Sequence, residues 1–201
     1  MPPTPPPKRK NNPEGTRARV LDAAAALFQS HGYAATSTQQ IAAEAGVTHG
    51  AMHHHFATKK VLGLAVVRER VAVSVRETWI EPLAAAKTTK AALARIFGEI
   101  CAGLDARGAV QGCPLNNLAL ELSFVDADFR EELRQVFDEW RQALADRLRA
   151  DPGVRRARGT DPDALAMFVV AAYSGAMAMA KADQASTALR VAADRLAAIL
   201  P

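Results

Sequence analysis

The sequence predicts an all-α protein in two parts, a small N-terminal head and a larger helical body, and three observations carry that prediction. Apolar residues recur at spacings of three and four along most of the chain, the repeat of helices that each bury one side. Aromatic residues make up only 5% of the chain and alanine is abundant, which suits closely packed helices better than a sheet. The stretch 36–60, TSTQQIAAEAGVTHGAMHHHFATKK, reads as two short helices around a tight turn, and the rest of the chain is arranged around it.

Length and charge narrow the function. A chain of 201 residues buries a substantial core in one or two domains. The net charge is +4, and its placement matters more than its size. Residues 1–60 hold seven basic side chains (Lys8, Arg9, Lys10, Arg17, Arg19, Lys59, Lys60) against Glu14, Asp22 and Glu44. The other 18 basic residues (25 less 7) and 18 acidic residues (21 less 3) cancel in 61–201. The excess therefore sits at one end, as in a nucleic-acid-binding chain. Two cysteines are too few for a disulfide scaffold, and the first residues lack the apolar segment of a secretory signal, so a reducing cytoplasm is expected.

In order, residues 1–13 are Pro-rich and charged, and read as a disordered arm whose Lys8–Arg9–Lys10 run can reach along phosphates or act as a plain tail. Residues 14–31 form a helix with Val20, Leu21, Ala24, Leu27 and Phe28 on one stripe, and Gly32 stops it. Arg17 lies near its start, within reach of a phosphate. Ser37 or Thr38 caps the first motif helix, Gly46 supplies the positive φ of the turn, Val47 plugs the corner and Thr48 caps the second helix. This is a helix-turn-helix, whose second helix enters a DNA major groove.

Gly46, Val47, Thr48, Gly50, His55, Phe56, Thr58 and Lys59 match the signature of the tetracycline-repressor-type (TetR) family, and the chain resembles that family over about its first third. The resemblance implies a homodimeric transcription regulator that binds double-stranded operator DNA and answers to a small molecule. His53 departs from the pattern, because the family usually has a tyrosine there.

Roles follow within the motif. Thr38, Gln39 and Thr48 sit at helix N-termini, where hydroxyls, amides and free N–H groups suit phosphate oxygens. His49 is the expected reader of base edges, and Gly50 lets the backbone approach the groove. His53 replaces the family's phosphate-binding tyrosine, and His54 reaches the DNA backbone. Lys59 places a cation over a phosphate. Met52 and Phe56 are core. His49 and His53, four apart, have a zinc-compatible spacing, but no Cys or carboxylate joins them locally, so neither a metal nor a cofactor is expected.

The body spans 61–201, after a head at 14–60. A connector helix over 58–80 ends or kinks at Pro82; the resemblance implies that it carries ligand-driven movement to the head. Residues 88–107 form a helix, followed by a two-glycine loop and Pro114 at the first turn of the next helix. Cys113 lies at that N-terminus, where exposed N–H groups lower a thiol pKa. It resembles the cysteine of a family subgroup that senses electrophiles, and its plainer reading is a small buried residue. Asn117, Glu121, Phe124, Phe137 and Trp140, with Cys113, are the expected ligand-pocket residues. Residues 154–160, VRRARGT, read as a solvated basic loop. The charge-free run 164–180 is rich in Ala, Gly and Met and falls short of the ~20 apolar residues of a membrane span, so no membrane is expected. With the helix at 185–200 it can pair with a second copy, and Phe168, Ala171, Ala172, Gly175, Met179, Leu189 and Leu196 are the expected interface. Two other readings remain: a DNA-binding dimer with no ligand, and an α-helical enzyme using Cys113.

Overall fold

The structure, a computed structural model, describes residues 13–157 and 161–200. The expected arm, apart from Pro13, and the Lys8–Arg9–Lys10 run lie outside the described residues. Among those described, ten helices follow one another and no strand occurs.

Three of them make the head: α1 (Pro13–His31), α2 (Thr38–Glu44) and α3 (His49–His55). Val20, Leu21, Ala24 and Phe28 of α1 bury against Ile41, Ala42 and Met52, and Phe56 closes the bottom of the cluster. Burying each large apolar side chain stabilises the head by about 1.5–3 kcal/mol.

The next helix, α4, runs from 59 to 85 and is longer than the expected connector. It does not stop before Pro82. Two wide π turns interrupt it, Val67–Val71 and Arg76–Ile80. The second lies where the ring of Pro82, four residues beyond Thr78, would crowd the Thr78 carbonyl. Widening the turn accommodates the ring, and the helix continues to Ala85.

The body adds α5 (Thr89–Arg107), α6 (Pro114–Leu122), α7 (Ala127–Ala150), α8 (Pro152–Arg156), α9 (Pro162–Asp183) and α10 (Thr187–Ile199). Gly108 ends α5 at φ +65°, and the carboxylates of Asp126 and Asp161 accept backbone N–H groups at the starts of α7 and α9. The first part of the expected basic loop is instead α8, with Val154 buried beneath it. Where four helices meet, Trp79, Phe97, Trp140 and Tyr173 form an aromatic cluster in the core. Trp79 lies 4.6 Å from Trp140 and 4.7 Å from Tyr173, centroid to centroid.

α9 is 22 residues long, and by length and composition alone it is apolar enough to cross a membrane. Here α7 and α10 pack along it and cover one side. Its other side stays exposed.

Head and body meet at Gly63 of α4. A Cβ there would lie 2.6 Å from Phe129 Cζ and 2.7 Å from Tyr33 Cε2. Tyr33 in turn packs between Phe28 and Phe129, at 5.0 and 5.1 Å. Gly63→Ala therefore overpacks the junction. Its strain of about 1–3 kcal/mol exceeds the roughly 1 kcal/mol that alanine gains in helix propensity. Thermal unfolding should show a lower midpoint for the variant; a raised midpoint would mean that the two rings move aside freely.

Candidate nucleic-acid interface and effector cavity

Local hydrogen bonding places the head's polar side chains. Ser37, not Thr38, caps α2: its hydroxyl accepts from Gln40 N at 3.2 Å, and Gln40 Oε1 accepts from Ser37 N at 2.8 Å. Thr38 is thereby left in the first helical turn. Gly46 turns the chain at φ +61°, and Thr48 caps α3 by accepting from Ala51 N at 3.1 Å. Thr38 Oγ1 lies 3.2 Å from His49 Nε2, which ties the start of α2 to the start of α3. Met52 and Phe56 turn inward and fasten α3 from beneath.

Gln39, Thr48, His49, Gly50, His53 and His54 are all exposed, and Thr38 half-exposed. His49 and His53 share a face, with ring centroids 6.4 Å apart. A Cβ at Gly50 would touch nothing within 4 Å, so the surface is open there. The only acidic residue from 36 to 60 is Glu44, at the far end of α2. The motif thus presents hydroxyls, amides and imidazoles, groups suited to phosphates and base edges. Among the described residues no group of three His, Cys, Asp or Glu is arranged to hold a metal ion.

Two of the expected phosphate ligands are engaged within the chain. Arg17 grips Glu69 of α4 with both terminal nitrogens, at 2.6 and 2.5 Å, and lies 5.2 Å above the Phe56 ring. Its bond holds the Glu69 carboxyl below the usual range. Arg17 here clamps the head to α4, and a phosphate contact would draw it away from Glu69. Lys59 folds back over Tyr33, 4.4 Å from the ring centroid, with Nζ 3.3 Å from Ala34 O, and burial lowers its pKa.

The head is joined to the body through α6. Glu121 accepts Ala34 N at 2.6 Å and Tyr33 N at 2.9 Å with its two carboxylate oxygens. Gln29 of α1 donates to Gly112 O at 2.7 Å and accepts from Asn117 at 3.2 Å. Lys60 bridges Asp126 and Asp128 at the start of α7, at 2.8 and 2.7 Å. Glu121 thus tethers α6 to the Tyr33–Ala34 turn. A lone acid on apolar α6 signals some buried partner, but its donors lie 88 and 87 residues away and no sequence pattern points to them.

A cavity of about 620 Å³ opens between α4, α5, the 108–113 loop and α9. Ile96, Ile100 and Leu104 line it together with Glu77, Arg107 and Tyr173. Only Cys113 of the expected pocket residues reaches it. Asn117 and Phe137 line a separate cleft between α6 and α9. Trp140 is core, and Phe124 is 93% exposed at the corner between α6 and α7. The sequence reading missed Glu77, Arg107 and Tyr173, because which face of each helix turns inward is settled by packing.

Cys113 does stand at the N-terminus of α6, buried beside Tyr173, but its side chain makes no capping hydrogen bond. Desolvation outweighs the influence of the neighbouring N–H groups and raises the thiol pKa, contrary to the expected lowering.

The expected interface on α9 and α10 divides similarly. Phe168, Ala171, Gly175 and Met179 are exposed and Ala172 half-buried along one side of α9. Leu189 and Leu196 are fully buried in the protomer, on the side of α10 that packs on α5, which corrects their placement. Val191 and Ile199 occupy the outer side.

Comparison with known proteins finds matches to both parts of the chain. The family model "Bacterial regulatory proteins, tetR family" matches residues 20–66. A second, "Transcriptional regulator LmrA/YxaF-like, C-terminal domain", matches residues 89–195, more than half of the chain. The chain is 28% identical over 177 residues to the HTH-type transcriptional repressor DhaR of Mycobacterium sp. (strain GP1), covering 84% of this chain and 83% of that one. It is 29% identical over 143 residues to an uncharacterised HTH-type transcriptional regulator in the lacX 3′ region of Lactococcus lactis, covering 71% and 73%. The crystal structure of a TetR transcriptional regulator from Chloroflexus aurantiacus superposes with a TM-score of 0.80 at 32% identity, covering 92% and 94%.

The two kinds of contact separate by mutation. His49→Ala should reduce discrimination between specific and random DNA, whereas Lys59→Ala should weaken binding to both about equally. Anisotropy titrations at fixed salt read both quantities, and the reverse pattern would overturn the assignment. Glu121→Ala leaves two backbone N–H groups unpaired and should cost about 1–3 kcal/mol. Denaturant unfolding should register that loss; unchanged stability would mean that water replaces the carboxylate.

Proposed function

We propose that this chain, which belongs to the TetR family of helix-turn-helix transcriptional regulators and is not an enzyme, is a homodimeric repressor that a small molecule releases from its operator. The observation that carries the reading is the placement of α6. Its first residues, Cys113 and Pro114, form part of the cavity wall, and Glu121 near its other end holds the head. A molecule that enters the cavity and displaces α6 therefore moves the Tyr33–Ala34 turn that leads into α2. The body residues that line the cavity, partly apolar and partly charged, suit a small amphipathic molecule.

One helix-turn-helix reads few bases, so two copies on one duplex are needed for specificity. The exposed, small-residue side of α9 with the outer side of α10 supports a four-helix contact between copies. In such a dimer the two α3 helices face half-sites about one helical turn, ~34–36 Å, apart. The DNA-facing set is Thr38, Gln39, Thr48, His49, Gly50, His53 and His54, with Lys59 swinging from Tyr33 to a phosphate. Release requires that the effector bind the displaced conformation more tightly than the DNA-fitting one. The protein acts where its operator is, in the cytoplasm.

A thiol-reactive effector is a second reading, favoured by the position of Cys113 on the walls of both the cavity and the α6–α9 cleft. An activated alkene in the cavity would form one S–C bond, and the thiol proton would end on the adjacent carbon. Because burial keeps the thiol protonated, modification should be slow until the cavity opens.

A gel shift of the protein against the DNA upstream of its own gene, with competitor, tests the main reading; a specific, saturable shift is expected. No specific shift there or in a selection from random DNA would overturn it. With an operator in hand, Cys113→Ser should abolish release by N-ethylmaleimide while leaving the shift itself intact. Release that persists in the variant would make Cys113 a packing residue only.

A further inference from the structure

The corner between α6 and α7 exposes three adjacent large apolar residues, Leu120, Phe124 and Val125, at 82%, 93% and 70%. Together they present on the order of 400 Å² of apolar surface, a patch of the size that marks an interaction site on a soluble protein.

Two hollows connect this corner to the exposed side of α9. One, of about 510 Å³, runs between α6 and α9 from Leu120 to Gly175 and Ala178. The other, of about 420 Å³, runs between α7 and α9 from Ser123 to Met167 and Ala171. Phe137 and Ser174 line both, so the hollows adjoin. The corner is thus continuous with the α9 surface assigned above to a second copy.

Most polar groups in and around the hollows have partners within the chain: Asn117 Oδ1 accepts from Lys181 at 3.2 Å, Ser174 donates to Asn116 at 3.2 Å, and Arg134 is bonded to both Glu131 and Asp138, while Arg141 Nε has no partner. The charge is confined to the α7 side of the second hollow, where Arg130, Arg134 and Arg141 stand with Asp138; the first hollow carries only Lys181. What the surface lacks is an apolar cover.

The geometry points to a second copy of this chain covering the Leu120–Phe124–Val125 corner and both hollows, so that the dimer contact extends from α9 and α10 onto α6. This inference rests on the dimer proposed above and deepens it. A stable contact needs ~800 Å² from each partner, and the corner supplies about half. The side of α9 itself, rich in Ala and Gly, permits close approach, with Met167, Phe168 and Met179 as its large exposed side chains. The consequence is regulatory. The helix that walls the cavity and holds the head would also touch the other subunit, so a displaced α6 would alter the spacing of the two heads as well as their tilt.

Sedimentation equilibrium of the full chain decides it, with Phe168→Ser on α9 as the control and Phe124→Ser as the test. Phe124→Ser should raise the dimer dissociation constant at least about tenfold, as expected for a central aromatic contact. Phe124→Leu should retain most of the affinity. Phe124 is almost wholly exposed in the protomer, so helix content by circular dichroism should not change; Phe124→Lys decides the matter should the serine variant lose helix. If Phe168→Ser weakens the dimer and the Phe124 variants do not, the extension is overturned and the α9–α10 dimer stands. A wild-type chain that stays monomeric at all concentrations would overturn both.

Discussion

The arrangement depends on how one nine-residue helix is held at both ends. At the far end of α6 the Glu121 carboxylate accepts the backbone N–H groups of Tyr33 and Ala34. A carboxylate receiving two amide donors makes stronger bonds than a neutral acceptor would. At its near end Cys113 is enclosed with Tyr173, and Pro114 begins the helix against the cavity. Between these ends Asn117 bonds Gln29 of α1. With Gly63 letting α4 approach Tyr33 and Phe129, the head has few ways to sit on the body. A few polar bonds across a tight apolar contact give the discrete positions that a switch requires, because packed interfaces are bistable and not continuously deformable.

The same economy shapes the DNA-facing surface. Of the cations near the motif, Arg17 is neutralised by Glu69, Lys60 by Asp126 and Asp128, and Lys59 rests on Tyr33. The motif itself presents hydroxyls, amides and three consecutive histidines, of which His53 stands where the family usually has tyrosine, and Arg19 of α1 remains exposed beside it. Charge invested in joining head to body is charge withheld from phosphates.

α9 shows how one helix serves two packings. One side carries Ala166, Val169, Tyr173, Met177 and Ala180 into the protomer core. The other side is small and apolar with no cover, an unusual surface for a chain whose charged residues could have occupied it. Helix α10 divides the same way, with Leu189 and Leu196 inward and Val191 and Ile199 outward. The large inward leucines belong to the protomer's own core, where burial of a full side chain gains most.

The sequence by itself determined the local features, because local features have local causes. The φ of Gly46, the cap at Thr48 and the inward turn of Met52 and Phe56 follow from residues within one helical turn of each other, whereas the choice of Ser37 over Thr38 as the α2 cap was made by the structure. The helix-turn-helix, its family and the all-α class were legible for that reason. The course of α4 past Pro82 was not, because the π turn that absorbs the ring leaves no pattern in residue type. Nor were the roles of Arg17, Glu121, Phe124 and Leu189, each of which depends on a surface brought from another part of the chain. Arg17 met Glu69, 52 residues away, and Glu121 met a turn 88 residues away. A charged or apolar side chain carries the same signal in sequence whether its partner is solvent, DNA, a ligand or its own backbone. Only tertiary packing chooses among them, since it alone sets which groups lose their water together.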